Sequence, residues 1–101
     1  MRMIMHVSFP CEPFNQAVRD GSIAATMKQI LAEQKPEAAY FTEWNGQRSG
    51  MLVIHINEAK EIPTFAEPWF LKLNATITLH PAMTPEDLGN AGLEGLGKKW
   101  G

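Results

Sequence analysis

The chain has one cysteine in 101 residues. Cys11 has no partner within the chain, so an internal disulfide is excluded, and the expected setting is the reducing cytoplasm. Long apolar runs are missing as well. The most apolar end, MRMIMHVSF, alternates and stops at Pro10. It is too short to cross a bilayer, and it lacks a small-residue cleavage site. There is no excess of positive charge: nine Lys and Arg stand against eleven Asp and Glu, a net charge of −2. No basic stripe forms, so neither nucleic acid nor a membrane is an expected partner. A P-loop, a dinucleotide-binding glycine fingerprint, CxxC and HExxH are all absent. No motif demands a cofactor or a metal, and none is expected.

What remains is a chain the length of one domain, able to bury a single modest core. Its hydrophobic period changes in a readable order. Met3, Met5, Val7 and Phe9 alternate with Ile4, His6 and Ser8, which predicts a strand. Ile23, Met27, Ile30 and Leu31 recur at helical spacing before Pro36. Phe14, Ala17 and Val18 form an earlier stripe, out of phase with that one by roughly 150°. A break at Asp20-Gly21-Ser22 accounts for the mismatch, with Ser22 as a candidate N-cap, and the short first piece is expected to pack away from the domain's own sheet.

Ala38 to Ile56 reads as a hairpin around the turn residues NGQRSG, with Arg48 in the turn. Ile62, Phe65, Ala66 and Trp69 keep a helical stripe that Pro68 should bend or end. Asn74 to His80 alternates as a last strand. Thr84-Pro85-Glu86-Asp87 then has the makings of a helix start, although the glycines beyond it weaken the tail. The expected organisation is an α+β domain over residues 1–83 and a helical extension over residues 84–101 that frays at its end.

The order β-α-β-β-α-β with right-handed crossovers predicts a ferredoxin-like, four-stranded antiparallel sheet with spatial order 4-1-3-2 and both helices on one face. The uniformly apolar sides of the strands should meet those helices. That leaves Ile4, His6, Ser8, Met51, Val53, His55, Thr76, Thr78 and His80 on the other side, including every histidine of the chain. The edge strand adds either Tyr40, Thr42 and Trp44 or Phe41 and Glu43, and alternation leaves that choice open. A face of this mixed polarity is expected to be covered by a second copy, enclosing a semi-polar cleft.

The phrases EQKPEAAYFT, AEPWF, LNA and PAMTPEDL resemble a bacterial group of short dimeric α+β barrel proteins, and the hairpin-helix-strand half is similar in layout to muconolactone isomerases. The likeness spans about residues 2 to 91 and contains no diagnostic catalytic motif. It implies a homodimer with facing sheets, in a superfamily of isomerases, quinone-forming and haem-degrading monooxygenases, and dehydratases. Fold analogy supplies no reaction.

Histidine is the side chain whose charge changes near neutral pH, so His6, His55 and His80 are candidate acid-base residues, against the plainer reading that they are hydrogen-bonded interface residues. Tyr40, Trp44 and Thr78 are candidate ligand contacts, the two aromatic rings suiting a planar organic molecule. Arg48 could pair with a carboxylate, although a solvated charge is the simpler reading. The expected function is binding of a small organic molecule in the cleft of a homodimer, with a cofactor-free isomerisation or oxygenation as the chemistry. The alternative is a non-enzymatic dimeric structural or ligand-sensing module, and haem or metal binding ranks below both.

Overall fold

In the computed structural model, which describes residues 1–101, the unbroken alternation of β1 (Arg2–Phe9) places it inside the sheet. It lies between β3 (Gln47–His55) and β4 (Thr76–Pro81), and β2 (Ala38–Trp44) pairs with the far side of β3. Every pairing is antiparallel. The order β2-β3-β1-β4 is the predicted 4-1-3-2 read from the other edge, and the fold is α+β and ferredoxin-like.

Three helices cover one face: α1 (Phe14–Arg19), α2 (Ile23–Gln34) and α3 (Ile62–Leu73). Met3, Met5, Val7, Phe9, Leu52, Ile54 and Ile56 from the sheet meet Ile30, Trp69 and Leu73 from the helices in one buried cluster. The amide of buried Gln34 ties the two long helices together. Its Nε2 donates to the Phe65 carbonyl (2.8 Å), and its Oε1 accepts from Trp69 Nε1 (3.1 Å). Both polar ends of the amide are thereby satisfied inside the core.

Several local expectations are corrected. The phase break at residues 20–22 is present, with Gly21 at φ 80°, but Ser22 makes no side-chain cap. Asp20 Oδ1 accepts from the Ser22 N–H instead (2.8 Å). Nor does α1 pack elsewhere: the Phe14 ring meets Phe9 edge-on at 5.1 Å, because the chain folds back directly after β1.

The hairpin turn is only Asn45-Gly46, both at positive φ (55° and 77°), which matches the right-handed strand twist. Arg48 therefore lies in β3 and not in the turn. It donates from Nη1 to Asn15 Oδ1 (2.6 Å), and its guanidinium lies 4.5 Å from the centroid of the Phe14 ring. Gly50 also belongs to the strand, where a Cβ would come within 3.0 Å of the Phe41 ring.

Pro68 does not end its helix, and α3 runs twelve residues, from Ile62 to Leu73. The proline forfeits one bond to the Thr64 carbonyl, which water can satisfy because Thr64 is exposed. Asn74, at φ 52°, stops the helix. Beyond β4 the chain forms α4 (Pro85–Gly89), closed by a reciprocal Thr84–Asp87 capping box, and α5 (Leu93–Trp100). No helix is long and apolar enough to cross a membrane.

Candidate functional site

The face of the sheet turned away from the helices is ordered by its register into rows of cross-strand neighbours. The central row reads Tyr40, Met51, His6, Thr78, one residue from each strand. On one side lies the row Ala38, Val53, Ile4, His80, and on the other Thr42, Ser49, Ser8, Thr76. The choice left open by alternation is settled: Tyr40, Thr42 and Trp44 share this face, and Phe41 lies on the helix side against Gly50.

His6 is the residue most tightly held. Its Nε2 is hydrogen-bonded to Ser49 Oγ, and the Trp44 ring meets its imidazole edge-on, with centroids 5.7 Å apart. Ser49 is only 2% exposed although it belongs to the open face. An imidazole fixed on one nitrogen and braced by an aromatic ring is oriented, and its Nδ1 has no partner within the protomer. Thr78 is its neighbour across the β1–β4 ladder, and Tyr40, 73% exposed, completes the row.

The other two histidines do not join it. His80 lies opposite Ile4, one step diagonally from His6, while His55 lies opposite Arg2 at the end of the sheet. By register His55 and His80 are roughly 12 Å apart, since they are two strands and two residues out of step. No group of three or more His, Cys, Asp or Glu side chains is placed to hold a metal ion.

His55 belongs to a separate polar cluster. Glu37 Oε1 accepts from His55 Nε2 (3.0 Å) and from Arg2 Nε (2.9 Å). The hydrogen bond from His55, followed by that from Arg2, holds the Glu37 carboxyl below the usual carboxylate range.

Two residues of this geometry escaped sequence reasoning. Ser49 would have been found by continuing the β3 alternation back from Met51 through Gly50, which the glycine discouraged. Glu37 precedes its strand and had no periodic signal at all.

The face is flat. The depression the surface does contain, about 360 Å³, lies on the helix side between Pro13, Asp20, Thr26 and Lys72, away from every residue of the rows. The open face therefore becomes a cleft only when something covers it.

No protein-family model matches the chain. No curated protein matches it either. Among solved structures, the chain is similar to a de novo designed protein, Ferredog-Diesel, at 12% identity and a TM-score of 0.48, over 80% of this chain and 85% of that one. It is also similar to a protein from Deinococcus radiodurans assigned as an antibiotic biosynthesis monooxygenase, at 14% identity and a TM-score of 0.41, over 83% and 94% of the two chains. Neither is a muconolactone isomerase, and likeness at this level does not extend to chemistry.

Proposed function

We propose that the open face binds a small, planar organic molecule in a cleft closed by a second copy of the chain, with His6 as the acid-base group. The observation that carries this reading is the central row, in which a positioned imidazole stands between an exposed tyrosine and a threonine and is braced by a tryptophan. Tyr40 and Trp44 supply flat surfaces for stacking, and Thr78 offers a hydroxyl for orientation.

Ser49 fixes the His6 ring and is a positioning residue. His80 contacts the ligand's periphery, and His55, engaged with Glu37, lies at the mouth. Proton transfer by a positioned histidine is the chemistry of a cofactor-free isomerase, or of a monooxygenase whose substrate carbanion meets oxygen directly. The setting we propose is the bacterial cytoplasm, in keeping with a single exposed cysteine.

The test is native mass spectrometry of the freshly purified protein, with release and identification of anything bound. A dimer carrying a reproducible aromatic or phenolic compound supports the reading, and His6→Ala should then lower turnover of that compound about 10²–10⁴-fold. An empty dimer that takes up no flat aromatic probe would sink it. That outcome would favour the non-enzymatic dimeric module.

A further inference from the structure

The C-terminal segment leaves the body of the protein. Every residue from Pro85 to Gly101 is exposed, and the buried core together with its partly buried lining stops at Leu79. The long axis of the molecule is 59 Å against 28 and 19 Å for the others. Its Cα radius of gyration is 17.0 Å, where a compact domain of ~100 residues has about 13 Å.

This segment is nonetheless patterned. In α5, Leu93, Leu96 and Trp100 recur at i, i+3 and i+7, while Glu94 and Lys98 pair on the opposite side (3.4 Å). The apolar stripe is 58%, 47% and 77% exposed in turn, and Leu88 and Met83 on the approach are exposed as well. Eight residues containing Gly95 and Gly97 do not make a self-sustaining helix in water, where lengths below ~12–15 residues are marginal even for good helix formers. An amphipathic stripe of this kind needs a surface, and the protomer's own body does not supply one.

Origin and area point to the same surface. The segment starts at Ala82, whose N–H donates to the Arg2 carbonyl (3.0 Å), beside the end of the open face where His55 and His80 lie. A facing sheet packs only ~10 Å away, within reach of an arm that begins there. The open face itself covers roughly 500 Å² in plan, from four strands of six to nine residues. A stable specific interface removes about 800 Å² from each partner, so the sheet face alone is small for the task. Seven of the twelve residues in its three rows are also threonine, serine or histidine.

We infer that residues 84–101 are an arm that docks through Leu93, Leu96 and Trp100 on a second copy of this chain, flanking the cleft. The inference rests on the facing-sheet dimer proposed above. Under two-fold symmetry the contact is reciprocal, each protomer giving one arm and receiving one.

The experiment is a dilution series by sedimentation equilibrium on three proteins: the parent chain, the variant Leu93→Ser/Leu96→Ser/Trp100→Ser, and Val53→Glu. The triple variant should raise the dimer dissociation constant at least 100-fold while leaving the far-ultraviolet spectrum of the sheet unchanged. A constant within threefold of the parent overturns the arm. If Val53→Glu dissociates the dimer and the triple variant does not, the facing-sheet reading stands and the arm falls. The reverse result keeps the arm as an interface and removes the facing sheets. A parent chain that is monomeric throughout overturns both.

Acrylamide quenching, compared between the parent and Trp100→Phe, supplies a second readout without altering Leu93 or Leu96. Trp100 should be shielded in the dimer and accessible after dilution. Accessibility that does not change with concentration contradicts the docking.

Discussion

The two faces of the sheet are built from the same strands and differ in nearly everything else. On the helix side Met5, Val7 and Leu52 are wholly shut off from solvent. One residue along each strand, Ile4, His6 and Met51 are only half-buried and look onto a face that the protomer does not cover. The pleat separates the two sets: one set of side chains holds the chain together, and the alternate set is left uncovered by the protomer.

Adjacent residues 51 and 52 give the sharpest way to break this comparison. Leu52→Ala should cost about 2–5 kcal/mol, the lost transfer energy plus a cavity beneath the helices. Met51→Ala should cost the protomer under about 1 kcal/mol, because that side chain is not enclosed there. Urea unfolding of dilute, monomeric protein measures both. Equal losses would mean that the faces are not distinct.

Gln34→Ala comes next, at about 1–3 kcal/mol, since it leaves Trp69 Nε1 without its acceptor inside the core. The midpoint of thermal unfolding reads this out, and Trp69 emission reports the same event. On the open side, His80→Ala should change stability by no more than about 0.5 kcal/mol, as an exposed residue with no hydrogen-bonded partner. A loss of several kcal/mol would transfer His80 to the structural side of the ledger.

The smallest effect concerns pH. Glu37 titrates lower in the folded chain than the ordinary 4.5 because it accepts from His55 and from Arg2. A carboxyl lowered on folding adds stability above its unfolded value, and this is lost as pH falls through the folded one. Arg2→Ala should move the Glu37 midpoint upward toward the ordinary range, measured by the side-chain carboxyl carbon in NMR. No upward movement would show that Arg2 does not hold the carboxylate.

The faces were legible in the sequence because alternation is a strict period of two. Met3 to Phe9 and Leu52 to Ile56 announced their side without help from the rest of the chain. Topology followed from the element order and crossover handedness. The phase of β2 was not legible, because Tyr40, Phe41, Thr42, Glu43 and Trp44 mix aromatic and polar residues on both sides. Only pairing with β3 assigns them. The extent of the turn is not legible for a similar reason: Arg48, Ser49 and Gly50 resemble loop residues, yet Gly50 pairs within the strand and is a glycine because the Phe41 ring occupies the space a Cβ would take. With that end of β3 hidden, Ser49 was hidden too, and so was the bond that orients His6. The three histidines could be placed on one face by sequence, but their mutual distances depend on register, which alternation does not give.

The two borders of the sheet are unequally guarded. On one, β4 carries Pro81, which lacks the N–H that a further strand would need. On the other, Ala38–Trp44 presents a full backbone ladder with a single charge, Glu43, and no proline. Such a border is a template for edge-to-edge pairing between molecules. Crowding or partial unfolding should therefore favour association between molecules through β2 rather than through β4.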